Sequence, residues 1–239
     1  MQFQPEPVAT KETVTFLAER LRIAKERREK SGKKEFITVT RQTGAAGPAF
    51  FEMLKVRLAE EDAAGPGWMV FEKNLIQRVI EEHHMPSRLA KYMNEGGDSE
   101  INDTLEELFG LHPARWTLVR KTSETMMRVA QLGHSIIIGR AGNMVTKKLS
   151  SGLHVLMVAP AKVRVQRIQD FYGMTRSTAV EFVRREDLEK RTYMKKYFNH
   201  NIDDPSLYDL VINTEVLCHE DAVRAIAGIV LNSPPPIGR

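Results

Sequence analysis

The sequence lacks the features that mark exported or membrane proteins. It has one cysteine, Cys218, and no apolar run that approaches the length of a membrane span. A single cysteine excludes an intramolecular disulfide, and a spanning helix needs roughly 20 consecutive apolar residues. The first residues, MQFQPEPVATKETVTF, also lack the basic and apolar segments of a secretory signal. These absences predict a cytoplasmic protein with no membrane partner.

The sequence also has few signs of nucleic-acid binding, although its formal net charge is +4. Much of the positive excess lies in two stretches with helical character, residues 20–34 and 184–196. Glu26 and Glu29 interrupt the first stretch, as on a solvated helix face. Zinc-ligand spacing, a helix-turn-helix pattern and interleaved aromatic and basic residues are absent. We therefore expect an anionic ligand other than a nucleic acid.

A regular alternation of short apolar segments and amphipathic segments is present. Apolar segments at 36–40, 68–72, 135–139, 153–159 and 208–214 predict five strands. Segments with helical periodicity separate them, including 48–61, 115–133 and one long basic region at 161–198. Strands that alternate with helices favour a parallel sheet covered on both faces. The sequence therefore predicts a three-layer α/β fold.

The length of 239 residues, of which 42% are hydrophobic and 28% charged, is enough for one main domain with small additions. We expect the main domain at residues 35–232. Residues 1–34 are predicted to form a helical arm outside it, because their amphipathic helix ends at a Ser-Gly pair. The polar residues 85–112 predict a mostly helical insertion, and the Pro-rich residues 233–239 predict a disordered tail.

A glycine-containing loop follows the first predicted strand, at residues 41–50. Gly44 and Gly47 allow the backbone to curl, so that its amides and the next helix N-terminus can surround a phosphate. A complete P-loop places Lys after its last glycine and then Ser or Thr. Pro48 and Ala49 stand at those positions here. The loop alone therefore fits a structural turn as well as a phosphate site.

Three arginines follow predicted strands at the same edge of the sheet. Arg140 comes directly after a buried strand, where a structural role would favour an apolar or small residue, so we expect it to contact a ligand. Arg164 and Arg167 lie three residues apart on one helix face. For these two, a ligand role and a solvated helix face stay equally open.

The acidic residues near the fifth predicted strand allow two interpretations. Asp203, Asp204 and Asp209 could hold magnesium through water, or they could form a turn and a helix cap. We favour the turn. His83 and His84 are adjacent in a predicted helix and point to different faces, so they cannot share one metal ion. We predict no metal site built from protein side chains.

Five segments together carry a resemblance to a known family. They are the glycine loop at 40–47, the segment IIIGRAGN at 136–143, the fourth strand and following helix at 154–174, the basic stretch at 185–198, and DDPSLYDLVINTE at 203–215. In this order they resemble the cytidylate kinase-like branch of the nucleoside monophosphate kinases. The resemblance spans roughly residues 36–231.

The resemblance implies a P-loop kinase-like fold, with a five-stranded parallel sheet, a helical acceptor-binding region at 72–132 and a lid at 173–200. It implies an enzyme that binds ATP and Mg²⁺ and moves the γ-phosphoryl group to a nucleotide such as CMP or dCMP. The degenerate loop leaves two alternatives open. One is a catalytically silent, nucleotide-binding regulatory protein, and the other is a kinase for another small acceptor.

The resemblance also implies roles for individual residues. Arg140, Arg184 and Arg191 are the expected catalytic cations. In the lid, Arg185 and Lys190 are expected to close over the phosphate together with Arg184 and Arg191, and Asp187 is expected to orient one of these cations. The lid departs from the family pattern at Lys190, which stands where relatives commonly have arginine, so the residue that reaches the phosphate stays open. The expected nucleotide-binding residues are Arg41, Thr43, Gly44, Ala45, Ala46, Gly47, Pro48, Ala49, Arg164 and Arg167.

Overall fold

The computed structural model describes residues 35–62, 67–72, 117–139 and 141–232. Five strands and six α-helices form within these ranges, together with a 3₁₀ turn at Pro205–Leu207. In chain order they are β1 (Phe36–Arg41), α1 (Pro48–Glu61), β2 (Met69–Glu72), α2 (Thr117–Leu132), β3 (Ser135–Ile138), α3 (Gly142–Val145), β4 (Gly152–Val158), α4 (Ala161–Tyr172), α5 (Arg176–Phe198), β5 (Leu210–Asn213) and α6 (His219–Asn232).

All neighbouring strands of the sheet run parallel, in the order β2-β3-β1-β4-β5. β1 lies at the centre, where Val39 pairs with Ile138 of β3 and with Val155 of β4. The chain passes to opposite sides of β1 after its first and third strands. In open α/β sheets, ligands bind at such a reversal, beyond the carboxyl ends of the strands. The loop after β1 therefore lies at the expected position for a site.

Helices cover both faces of the sheet. Successive side chains of β1 point to opposite faces, so β1 contributes to a core on each side. On one face, Ile37 and Val39 pack in a core with Leu54 of α1 and Ile226 of α6. On the other face, Phe36 packs with residues of α2, α3 and α5, including Met127, Val145 and Met194. This arrangement confirms the prediction of a five-stranded, three-layer α/β fold.

The long basic region predicted as helical at 161–198 consists of two helices. Gly173 adopts the left-handed conformation, with φ of +65°, and ends α4. Thr175 then caps α5 by accepting a hydrogen bond from the Thr178 amide. Both signals are typical of helix ends.

The two helices form a hairpin with its own small core of Val165, Ile168, Ala179 and Val183. Farther along α5, Met194 and Phe198 pack in the core that contains Phe36, on one face of the sheet. One helix therefore joins the hairpin to the sheet.

Several predictions fall outside the described residues. These are the arm at 1–34, the helix at 74–84, the insertion at 85–112 and the tail at 233–239. Among the described residues, none of the helices combines the length and the apolar character that crossing a membrane requires.

Candidate functional site

The loop between β1 and α1 is shaped by a glycine that no other residue can replace without strain. Gly44 has φ of +83°, a left-handed conformation. A Cβ atom at Gly44 would lie 2.6 Å from the backbone oxygen of Arg164. The loop therefore packs directly on the backbone of α4.

The loop carbonyls point to protein donors behind the loop. The Arg167 guanidinium donates to the carbonyl oxygen of Ala45 at 3.1 Å and to that of Gly44 at 3.4 Å. The Thr214 hydroxyl, just after β5, donates to the same Ala45 oxygen at 2.6 Å. Arg167 also donates to the Thr214 hydroxyl and carbonyl oxygens, at 2.8 and 2.7 Å. Arg167 thus joins α4, the loop and the end of β5.

Three amides of the loop are available to bind a ligand. Within the described part of the chain, the amides of Gly44, Ala46 and Gly47 donate to no acceptor. They lie at the N-terminus of α1, where Pro48 has no amide hydrogen and the Phe50 amide donates to the Gly47 carbonyl oxygen at 3.1 Å. Converging amides of this kind form an anion site, and the helix dipole adds positive potential.

Asp187 of α5 binds the start of the loop. Its carboxylate accepts a hydrogen bond from the Thr43 amide at 2.9 Å and one from Arg164 at 2.6 Å. Burial alone would raise the pKa of Asp187, but the Thr43 hydrogen bonds and the charges of Arg164 and Lys190 outweigh it and lower that pKa. The carboxylate is therefore a buried, charged anchor.

Arg164 is bound entirely to the protein. It is 7% exposed, and it donates to the carbonyl oxygens of Ala159 and Thr43 as well as to Asp187. It is not among the residues that line the cavity described below. This geometry supports a role in positioning the loop.

Lys190 brings a positive charge to the loop from α5. Its ammonium donates to the Thr43 hydroxyl at 2.6 Å and to the Arg41 carbonyl oxygen at 3.2 Å, and its nitrogen lies 3.7 Å from Asp187. The side chain is partly accessible and lines the cavity. The family resemblance implied a lid role for Lys190, but its contacts with Thr43 and Arg41 depend on the fold.

Arg41, at the end of β1, contributes a second cation. Its guanidinium lies 5.0 Å from the centre of the Phe51 ring, donates to the Ala46 carbonyl oxygen and lies 3.6 Å from the Glu72 carboxylate. Burial lowers the pKa of Arg41, while Glu72 and Tyr172 oppose that shift. Arg41 therefore stays charged at physiological pH and faces the same cavity.

A cavity of about 530 Å³ lies in front of the loop. Its volume is within the range of small-molecule sites, about 300–1,000 Å³. The ends of β1, β2 and β3, the loop, α4 and α5 all contribute to its walls. The predicted nucleotide-binding residues on it are Arg41, Thr43, Gly44, Ala45, Ala46, Gly47, Pro48 and Arg167.

The remaining predicted residues lie elsewhere. Ala49 is exposed in the first turn of α1 and is not part of the cavity wall. Arg184 is exposed on α5 and does not line the cavity either. Arg191 donates to Asp203 at 2.7 Å, and this hydrogen bond raises the pKa of Arg191. Arg140 lies outside the described residues.

The acidic residues before β5 make the contacts of a turn. Asp204 caps the 3₁₀ turn by accepting from the Ser206 amide at 2.9 Å. Asp209 accepts from the His154 amide, and Asp203 binds Arg191. Across the described ranges, no group of three or more His, Cys, Asp or Glu side chains is arranged to hold a metal ion.

The five-stranded parallel sheet, covered by helices on both faces and with an amide-lined loop after its central strand, makes this a three-layer α/β protein. The model of the cytidylate kinase-like family matches residues 36–216, and the chain belongs to that family.

Individual relatives agree with this assignment. A cytidylate kinase of Pyrococcus horikoshii is 22% identical over 184 residues, which cover 77% of this chain and 92% of that protein. A cytidylate kinase of Methanococcus aeolicus is 33% identical over 157 residues, covering 64% and 88% respectively. The structure of an uncharacterized protein from Eubacterium ventriosum superimposes with a TM-score of 0.62 at 16% identity, covering 84% of this chain and all of that one. This last likeness supports the fold alone.

Proposed function

We propose that this protein is a nucleoside monophosphate kinase that moves the γ-phosphoryl group of ATP to an acceptor such as CMP or dCMP. Membership of the family supports the general class of phosphotransferase. The observation that carries the proposal is the contact of Lys190 with Thr43, beside the loop amides that lack acceptors. This contact supplies the positive charge that the loop itself lacks at Pro48.

The chemistry needs positioned donors and cations more than covalent catalysis. During phosphoryl transfer, charge spreads over the phosphate oxygens, and fixed N–H groups and cations stabilise it. The amides of Gly44, Ala46 and Gly47 are suited to bind phosphate oxygens, and the ammonium of Lys190 is suited to neutralise one. Arg140, Arg184 and Arg191 remain proposed catalytic cations, and Arg41 and Arg167 remain proposed nucleotide contacts.

The donor set fits the phosphates of ATP better than it fits a protein-bound magnesium ion. Ala49 offers no hydroxyl, and the Thr43 hydroxyl accepts a hydrogen bond from Lys190. Mg²⁺ prefers octahedral oxygen ligands and commonly keeps several waters. We therefore expect nucleotide phosphates and water to hold Mg²⁺, which would offset phosphate charge.

The test is ATP-dependent phosphorylation of a panel of nucleoside monophosphates with Mg²⁺, followed by the formation of ADP and nucleoside diphosphate. We expect Lys190→Met to lower turnover by roughly 100-fold or more, as loss of a transition-state donor does. Lys190→Arg should retain part of the activity, because it keeps the charge. Lys195→Met is the matched control, since Lys195 lies on the same helix and contacts Asn199.

Turnover that survives Lys190→Met unchanged would contradict the role given to Lys190. Absence of turnover on every nucleoside monophosphate would contradict the kinase itself. Thermal unfolding of each variant would separate loss of chemistry from loss of the fold.

A second candidate function is that of a catalytically silent nucleotide-binding regulator. The observation that favours it is that Pro48 and Ala49 occupy the positions of the usual lysine and hydroxyl residues, with Pro48 removing one amide donor. Calorimetry that detects ATP binding, combined with no turnover on any acceptor, would support this candidate.

A kinase for another small acceptor would instead consume ATP only when that acceptor is added.

A further inference from the structure

Three aromatic side chains stand together at the turn between α4 and α5. The ring centres of Phe171 and Tyr172 are 4.8 Å apart, and those of Tyr172 and Phe182 are 5.6 Å apart. All three line the cavity in front of the loop. We call this group the aromatic wall.

The aromatic wall is more exposed than packing of the hairpin requires. Phe171 is 64% exposed and Tyr172 is 52% exposed, whereas Phe182 packs partly against the hairpin core. That core is made by small and branched residues of α4 and α5. Single exposed apolar residues are common, but adjacent aromatic rings that share a cavity usually mark a binding surface.

The position of the wall relates it to the loop. Arg167, which donates to the loop carbonyl oxygens, lies four residues before Phe171 on α4, or about 6 Å along the helix. The wall and the loop residues Gly44 and Ala45 line the same cavity. Glu72 and Gly139 line the cavity on the side of β2 and β3.

We propose that the aromatic wall stacks on the base of the nucleotide whose phosphates bind the loop. This inference rests on the proposed function, because it assumes a nucleotide at the loop. Aromatic rings bind any base through its π-face, so the wall favours a bound base without selecting strongly among bases. Glu186, which also lines the cavity, offers an acceptor for an amino or hydroxyl group.

The experiment compares ATP with inorganic tripolyphosphate, which has the phosphates but no base. Calorimetry with the full chain would measure both ligands on the wild type, Phe171→Ala and Tyr172→Ala. We expect ATP affinity to fall roughly 5- to 150-fold in the variants, while tripolyphosphate affinity stays unchanged. Leu188→Ala is the control, since Leu188 is 59% exposed on α5 and does not line the cavity.

A Phe171→Trp variant gives an independent readout. The added indole keeps a stacking face, so we expect it to retain ATP affinity. We expect its fluorescence, measured as a difference from the wild type, to change with ATP, GTP and CTP and not with tripolyphosphate. Stacking on the base is the only step that distinguishes these ligands.

Three outcomes would overturn the inference, and they separate it from the proposed function. Unchanged ATP affinity in both alanine variants would overturn the stacking role of the aromatic wall without contradicting the proposed kinase activity. Equal losses for ATP and tripolyphosphate would also overturn it, because the residues would then act through the loop. Failure of the wild type to bind either ligand would overturn both proposals.

Discussion

Gly44 shows how a single residue sets the shape of the loop. Its positive φ and its close approach to the Arg164 carbonyl leave no room for a side chain. The neighbouring Gly47 has φ of −102°, and a Cβ atom there would meet no atom within 4 Å. Backbone strain and lack of space therefore require glycine at Gly44 but not at Gly47.

This difference predicts unequal effects of alanine at the two positions. We expect Gly44→Ala to lower the free energy of unfolding by roughly 1–3 kcal/mol, the cost of a strained residue, and to weaken ATP binding. Gly47→Ala should show only the smaller cost of alanine at a helix cap. Urea unfolding and calorimetry on both variants check this, and equal effects would contradict it.

The sequence predicted the loop from its glycines, and the family resemblance implied lid roles for Asp187 and Lys190, but neither predicted their contacts with Thr43. Asp187 and Lys190 lie on α5, and their contacts with Thr43 span 144 and 147 positions of the chain. No local pattern encodes which way a helix turns toward a loop so distant in sequence. The resemblance to the family suggested a lid cation, but only the fold relates Lys190 to the loop.

At the scale of secondary-structure elements, α4 is the part that holds the loop in place. Arg167 on this helix reaches both the loop and the residue after β5, through a planar fork of donors. A guanidinium can make these contacts at the same time, whereas an ammonium is a point charge. The helix, the loop and the strand are therefore coupled by one side chain.

Loss of this coupling should loosen the loop even without a ligand. We expect Arg167→Met to speed hydrogen exchange at the loop amides and to weaken ATP binding. Arg167→Lys should restore only part of either property. Exchange measured by mass spectrometry checks this, with Arg176→Met, an exposed position on α5, as the control. Unchanged exchange in Arg167→Met would show that the contacts do not hold the loop.

The boundary between α4 and α5 illustrates a limit of reading helical periodicity. The basic pattern continues from 161 to 198, and it predicted one helical region. The break at Gly173 and the cap at Thr175 were both visible as residue types. Gly is also tolerated within helices at a cost of about 1 kcal/mol, so the sequence alone did not decide between a break and an interior position.

At the scale of the whole molecule, the buried pair of Asp187 and Arg164 links α4 and α5 to the loop after β1, because both side chains bind Thr43. Asp187 has a lowered pKa, so its charged form stabilises the fold above the ordinary carboxyl value of 3.8. That contribution is lost as the pH falls through the lower pKa of the folded state. Acid should therefore weaken this link by protonating Asp187, at a pH below the ordinary carboxyl value.

Substitution of Asp187 tests the link. Asp187→Asn leaves Arg164 buried without its counter-charge, a change that typically costs about 3–5 kcal/mol. We expect the difference in unfolding free energy from the wild type to be largest near neutral pH and to shrink below pH 3.8. Asp170→Asn, an exposed position on α4, is the control. A difference that does not change with pH would contradict a charged Asp187.

The overall architecture was the most predictable property of the chain. Apolar strands such as FITVTR and SIII, separated by amphipathic helices, required a covered parallel sheet. The order of the strands could be expected only from the family resemblance, because apolar patterns do not say which strands are neighbours. The pairing of β1 with both β3 and β4 is therefore information from the fold.

Thr43 and Lys190 are 147 positions apart in the sequence, although their side chains are in contact. Lys190, on a helix remote in sequence, brings a cation to the loop although Pro48 and Ala49 stand at the start of α1. Searches for a contiguous run of letters would pass over chains of this kind.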